Sequence, residues 1–290
     1  MLELSVSGLF RECYYFAAAM CRWLAYTGAP ILLSDLITKP KDNLIQQSLH
    51  AKAPRTPTNG DGFGIGWYDN QAYPGLFRSI RPAWNDLNLL DLAEHIESSL
   101  FLAHVRATSL ATIQETNCHP FRYKNWLFVH NGQIAEFQTL RQLLLEKIAP
   151  EYFENILGST DSEIMFHLAL TFGLEKEVLS AITKMVQVVE ATAKEKGIDE
   201  SLWMTLGISD GKNLWAFRYG SNGKGPTLYL SPSVEELRQL NPEAADKLGE
   251  FASCIVSEPI GKYQDKWQPV PENSQVTIAE KKIEVSSFQP

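Results

Sequence analysis

Residues 21–28 read Cys21-Arg22-Trp23-Leu24-Ala25-Tyr26-Thr27-Gly28. The run from Arg22 to Tyr26 is bulky and strand-forming and Gly28 closes it, so a strand headed by a cysteine is expected here. Taken alone, Cys21 reads as a small buried hydrophobe, the common fate of a free cysteine. The choice between that and a chemical role rests on what lies before and after it.

Twenty residues precede it. Ala17-Ala18-Ala19 has the look of an export cleavage site, but there is no basic n-region, and Arg11 and Glu12 interrupt the apolar stretch. The segment is therefore read as a removable leader, or Met20 as the working start, with 21–290 a single domain. A chain of 290 residues, 44% of them hydrophobic, can bury a sizeable core. Its net charge of −8, without a long Lys/Arg block, leaves no footprint for nucleic acid or an anionic membrane. No apolar run approaches the roughly 18 residues of a spanning helix. Four cysteines are too sparse for a disulfide scaffold and lack C-x-x-C spacing, which fits a reducing, cytoplasmic setting. A small-molecule substrate is the default partner, and a homo-oligomer is left open.

Moving outward from the first strand, residues 42–50 carry a short helical pattern and 53–60 a loop. Asp61-Gly62-Phe63-Gly64-Ile65-Gly66-Trp67-Tyr68 alternates glycine with bulky residues, as a strand does when another backbone or a ligand passes close to one face. Its glycines are out of frame for a dinucleotide fingerprint. A helix is expected over 87–100 and strands over 101–105 and 126–130. Helices follow near 136–148, 161–172 and 175–196. Strands return at 202–209, 214–218, 227–230, 252–256 and as a pair within 276–285. Strands, then clustered helices, then strands again predict a layered α+β fold and not a βαβ array. No internal repeat or linker is evident.

Several short stretches could carry chemistry, and each has a plain structural explanation. His104-Val105-Arg106 reads as a strand terminus with a surface ion pair. His130-Asn131-Gly132 contains Asn-Gly, the commonest two-residue hairpin turn. Ser159-Thr160-Asp161-Ser162-Glu163 fits a helix start with Thr160 as N-cap, Glu163 as capping-box partner and Asp161 favoured by the helix dipole. His104, Cys118, His119 and His130 match no zinc spacing and are expected to be packed, hydrogen-bonded side chains. Trp67, Trp126, Trp203 and Trp215 are expected in the core, with Cys118 and Cys254 inert.

In combination, Cys21, His104-x-Arg106, His130-Asn131-Gly132 and Thr160-Asp161-Ser162-Glu163, in this order and at these spacings, resemble the class II (N-terminal nucleophile) glutamine amidotransferases. Asp61 to Trp67 and Asn117-Cys118-His119-Pro120-Phe121 are similar to stand-alone bacterial members. The resemblance implies the four-layer αββα sandwich of N-terminal nucleophile hydrolases. It implies hydrolysis of the glutamine γ-amide to glutamate and ammonia through a thioester on Cys21, with no cofactor and no metal.

An amide carbon is a poor electrophile, so the thiol must lose its proton as it attacks. In this family the base is the nucleophile's own α-amine, which titrates near 7.7–8.0 in model peptides; a mid-chain cysteine has a non-basic amide there. By the same resemblance, the Asn131 amide and the Gly132 N–H hold the oxyanion and Arg106 takes the substrate α-carboxylate. Thr108 or Ser109 adds a hydroxyl, and Asp161 holds the α-ammonium. The ammonia would pass to a partner synthase, or the substrate would be a γ-glutamyl conjugate. A blocked Cys21 would leave a catalytically silent binding protein.

Overall fold

The computed structural model describes residues 21–49, 58–107 and 112–290. In chain order the strands are β1 (Arg22–Leu32), β2 (Phe63–Trp67), β3 (Gly75–Ser79), β4 (Glu97–Val105), β5 (Phe121–Tyr123), β6 (Trp126–Ile134), β7 (Leu202–Ser209), β8 (Leu214–Gly220), β9 (Tyr229–Leu230), β10 (Ala252–Val256), β11 (Gln268–Pro269), β12 (Ser274–Ala279) and β13 (Lys282–Ser287). The helices are α1 (Ser34–Ile37), α2 (Leu44–Leu49), α3 (Leu87–His95), α4 (Phe137–Leu145), α5 (Pro150–Phe153), α6 (Asp161–Thr171), α7 (Val178–Lys194), α8 (Val234–Leu240) and α9 (Pro242–Lys247).

Two antiparallel sheets result, ordered β11-β9-β10-β1-β4-β2-β3 and β13-β12-β8-β7-β6-β5. Side chains on a strand alternate between faces, and here both faces are apolar. On β1 and β4, Trp23, Ala25, Leu100 and Leu102 point between the sheets, where they meet Leu127, Val129, Ala216 and Val276 of the second sheet. Leu24, Tyr26, Phe101 and Ala103 point the other way, onto Leu44 of α2, Leu89 of α3 and Val234 of α8. The outer face of the second sheet, with Phe128, Leu206 and Phe217, packs on Leu140 of α4, Phe166 of α6 and Val186 of α7. Three apolar layers between four tiers of secondary structure make the αββα sandwich that the motifs imply. Helix α6 is buried at every position from Ser162 to Leu170, as suits a helix apolar nearly all round.

The alternating glycines of β2 have a concrete cause. A Cβ on Gly64 would run into the His119 carbonyl oxygen, and one on Gly66 would sit 2.7 Å from a Leu127 methyl. The second sheet therefore rests on bare backbone here, which is the close approach expected from the pattern.

Elsewhere the boundaries move. Strand β1 does not end at Gly28 but continues to Leu32 through a bulge between Thr27 and Ile31; a Cβ on Gly28 would lie within 2.7 Å of the Ala252 Cβ on the neighbouring strand. This extension pairs Ile31 with Ser98 and Leu32 with Glu97. It captures residues expected to be helical, so α3 stops at His95 and β4 begins at Glu97. Tertiary pairing here overrides local pattern. Among the described residues no helix is long and apolar enough to cross a membrane.

Candidate active site

The register of β1 against β4 pairs Arg22 with Val105, which brings Cys21 beside the chain leaving β4. The Cys21 thiol donates to the Ala107 carbonyl at 3.3 Å, and the Ala107 N–H points back at the sulfur, 3.4 Å away. Strand alternation carries Cys21, His104 and Arg106 onto the face shared with Trp23 and Leu102, the space between the sheets. From the second sheet, β6 contributes Asn131 by the same rule, two residues beyond Val129. His104 Nε2 donates to the His130 carbonyl at 3.2 Å, and the Trp23 indole N–H donates to Thr205 Oγ1 at 3.0 Å. Thr205 is the cross-strand partner of Asn131. Two side-chain hydrogen bonds thus fix the cysteine's strand against the asparagine's strand.

Asn131-Gly132 is not a hairpin turn, contrary to the local reading. It lies inside β6, paired with Thr205 and Met204. Gly132 has φ +145, and a Cβ there would strike the Trp203 carbonyl oxygen, so the glycine is needed because β7 passes too close for a side chain. The Asn131 side chain is buried, and its Nδ2 has no hydrogen-bond partner. A buried amide donor without an acceptor is costly by about 1–3 kcal/mol, and such a group suits an oxygen brought by a ligand.

Arg106 also departs from the local reading: instead of forming a surface ion pair it is buried, with only 3% of its surface exposed. Its guanidinium donates to the carbonyls of Asp61 and Thr112, both at 3.3 Å. A carboxylate would satisfy this buried cation better than neutral carbonyls do. Asp161 opens α6, where its Oδ2 accepts from the Ile134 N–H (2.9 Å) and its Oδ1 from the Ser162 N–H (2.8 Å). The helix start is capped by Thr160, whose hydroxyl accepts from Glu163 N–H. Glu163 does not complete the capping box, because its carboxylate turns to the N–H groups of Leu157 and Gly158. Thr108 and Ser109 lie outside the described residues.

Burial is the largest influence on the Cys21 thiol and pushes its pKa up; the Ala107 N–H and Arg106 oppose this, while Asp161 and Asp61 add to it. A thiol so placed needs a base to become nucleophilic. The nearby histidines do not supply an obvious one. Burial drives His104 down to about 3 and His119 well below the usual imidazole range, and it lowers His130 too, against the pull of Asp161. His104 and His119 stack at 4.1 Å, and His130 Nδ1 lies 2.8 Å from Ser162 Oγ. The expected packed, hydrogen-bonded state holds for His130, but His119 has neither ring nitrogen partnered. Among the described residues no group of three or more His, Cys, Asp or Glu is placed to hold a metal ion. Cys118 and Cys254 are buried thiols with raised pKa values, Cys118 up to about 11, as inert cysteines would be.

The motifs gave no role to the groups that brace this end. Asn117 links the loop after Arg106 to the helix start, donating to the Thr112 carbonyl and Ser159 Oγ and accepting from Ser159 N–H. Arg22 binds Glu258 through Nε and Nη2 (3.0 and 2.7 Å) and Asn59 through Nη1 (3.0 Å). The sequence sign of Asn117 and Glu258 was membership of the stretches Asn117 to Phe121 and Ser257-Glu258-Pro259, which resemble the family without revealing these contacts.

Comparison with known proteins places the chain in a family. The family model "Glutamine amidotransferases class-II" matches residues 32–228. The probable glutamine amidotransferase DUG3 of Saccharomyces cerevisiae is 34% identical over 297 residues, spanning 91% of this chain and 83% of that protein. The gamma-glutamyl-hercynylcysteine sulfoxide hydrolase of Mycolicibacterium smegmatis is 35% identical over 120 residues, 40% of this chain and 52% of that one. The structure of a glutamine aminotransferase class-II domain protein from Silicibacter pomeroyi superposes with a TM-score of 0.72 at 31% identity, covering 93% of this chain and 99% of the other. The B. subtilis glutamine phosphoribosylpyrophosphate amidotransferase shares the fold, with a TM-score of 0.57 at 14% identity over 93% of this chain and 49% of its own. This chain belongs to the class II glutamine amidotransferases.

Proposed function

We propose that the chain, with Cys21 as its first residue, hydrolyses the γ-amide of glutamine to glutamate and ammonia. The observation that carries the reading is the buried, unpartnered Asn131 Nδ2, set by strand alternation on the same inner face as Cys21. In this mechanism the freed α-amine of Cys21 takes the thiol proton, and the thiolate attacks the amide carbon. Asn131 Nδ2 and the Gly132 N–H hold the resulting oxyanion. The α-ammonium then returns its proton to the departing nitrogen, releasing ammonia and leaving a γ-glutamyl thioester. Water, deprotonated by the same amine, attacks the thioester, and glutamate leaves.

Arg106 holds the substrate α-carboxylate, for which its planar fork is suited. Asp161 holds the α-ammonium, with Thr108 or Ser109 adding a hydroxyl contact. No step needs a metal or a cofactor. The ammonia serves a separate acceptor enzyme in a cytoplasmic setting. A second reading, hydrolysis of a γ-glutamyl conjugate, draws on the 35% identity to the mycobacterial hydrolase; both use the same glutamyl end and differ in the leaving group.

The test is ammonia and glutamate release by protein beginning at Cys21, compared across glutamine and γ-glutamyl peptides. Turnover is expected, and a Cys21→Ser variant should lose about a thousandfold or more. Wild-type activity in that variant, or in protein retaining residues before Cys21, would refute the assigned nucleophile and base. Activity on peptides with none on glutamine would select the second reading.

A further inference from the structure

The backbone around Trp23 shows which way the nitrogen of Cys21 faces. Trp23 N–H donates to Ser257 Oγ (3.0 Å) and the Trp23 carbonyl accepts from Ser257 N–H (3.0 Å), so both groups of Trp23 turn toward the chain leaving β10. Backbone groups alternate sides along a strand. The nitrogen of Cys21, two residues earlier, therefore turns the same way, toward Glu258 and Pro259, where the register that pairs Leu24 with Val256 continues.

Pro259 has no N–H to offer, and its carbonyl already accepts from Gln47 Nε2 at 3.0 Å. Glu258 differs. Its Oε1 is taken by the buried Arg22, while its Oε2 is buried and has no partner. A carboxylate oxygen left dry without a donor is destabilising. The freed α-amine of Cys21 can supply that donor, because an amide nitrogen carries one fixed proton whereas an α-ammonium carries three and can turn.

We propose that Glu258 is a positioning residue for the freed α-amine of Cys21, with Oε1 fixed by Arg22 and Oε2 accepting a hydrogen bond from that nitrogen. Glu258 does not exchange the proton; it aims the amine at the thiol and steadies it while it carries the thiol's proton. The other charged groups acting on Cys21 are Arg106 beyond β4, Asp61 before β2 and Asp161 at the start of α6; these stay constant in the comparison below. The proposal rests on the reading of Cys21 as an N-terminal nucleophile, so its readout must not depend on turnover.

Protein beginning at Cys21 and labelled with [15N]cysteine gives an amine resonance separate from the amide nitrogens, and its shift is followed against pH. Glu258→Gln removes an acceptor and a negative charge that favour the ammonium, so the amine should titrate lower by about half a pH unit or more. Arg22→Gln removes a like charge and should raise it. In the wild type's assay, Glu258→Gln should lower kcat about tenfold with KM nearly unchanged, as a misaimed base would. Superimposable titrations of wild type and Glu258→Gln, or shifts of the same sign in both variants, would overturn the proposal.

If Glu258→Gln fails to fold because it strands the buried Arg22 charge, the double variant R22Q/E258Q removes both charges. It should keep the low kcat, and a wild-type kcat there would equally overturn the assignment. Failure of the functional reading is a separate result: wild-type protein would release nothing from glutamine or γ-glutamyl peptides, while the titration could still be read.

Discussion

The two ends of strand β6 make opposite uses of polar groups. At the Trp126 end a cleft of about 450 Å³ opens between β8 and the start of α7, lined by Trp126, Trp215, Glu177 and Asp210 among others. Its carboxylates are occupied: Glu175 pairs with Lys124 Nζ at 2.8 Å, and the other two serve their own backbone. Glu177 caps α7 by accepting from Leu179 and Ser180 N–H, and Asp210 accepts from Lys212 and Asn213 N–H. At the Asn131 end the opposite holds: Asn131 Nδ2 and His104 Nδ1 are buried without partners, and the Arg106 guanidinium reaches the Asp61 and Thr112 carbonyls at 3.3 Å. Volume shows where layers fail to meet. Several unsatisfied buried groups gathered at one strand end are the better guide to chemistry, while lone ones also occur at Ser34, Arg141 and Ser253.

The strongest way to break this contrast is Asn131→Ala. Loss of one oxyanion donor should lower kcat about 10²- to 10³-fold with a much smaller change in KM, measured as initial rates of glutamate release. A kcat within a fewfold of wild type would mean that the orphaned amide marks nothing. Arg106→Lys comes next. Lysine keeps the charge but loses the two-pronged geometry, so KM should rise on the order of 10- to 100-fold, the worth of a charge-assisted contact. An unchanged KM would remove Arg106 from the substrate site.

The same end should also make the fold acid-sensitive. His104, His119 and His130 have lowered pKa values because burial disfavours their charged forms. A histidine depressed in the fold binds its proton first in the unfolded chain. Each therefore costs stability as pH falls below its ordinary value near 6.5, by about 1.4 kcal/mol per pH unit, until its folded pKa is reached. Glu163, raised by burial, works in the other direction as pH approaches the carboxylate range. Denaturant midpoints at pH 7 and pH 5 should show a clear loss at the lower pH. A flat profile would mean that these imidazoles are more hydrated than their burial indicates.

How much of this could be read from the sequence depended on the range of the interaction involved. Strands β7 and β10 fell at their observed bounds because a continuous apolar run between turn residues needs no distant information. The glycine alternation of β2 correctly announced a close neighbour without naming it. Where a partner decided the outcome, local reading failed. The pairing of Ile31 with Ser98 turned the end of an expected helix into strand, and β7 held Asn131-Gly132 straight where its chemistry suggested a turn. In the candidate site, Cys21, Arg106, Asn131 and Asp161 stood out as motif letters. Thr205 did not, and Glu258 stood out only as part of the loosely matching Ser257-Glu258-Pro259, since their importance lies in contacts to residues 182 and 236 positions away.

The smallest expected effect lies at the other end and sharpens the contrast most. Trp215 is only partly buried and stacks on Trp126 with ring centres 5.8 Å apart. Trp215→Ala should remove that contact and some apolar cover, costing about 2 kcal/mol of stability, less than a fully buried aromatic would. Its kcat/KM should stay within about twofold of wild type, because nothing in the cleft touches the strand ends that hold Cys21 and Asn131. The Trp23 to Thr205 and His104 to His130 hydrogen bonds that join those strands lie on the far half of β6 and β7. A tenfold change in kcat/KM with little loss of stability would mean that the two ends communicate along β6, and the cleft would then have to be counted as part of the working site.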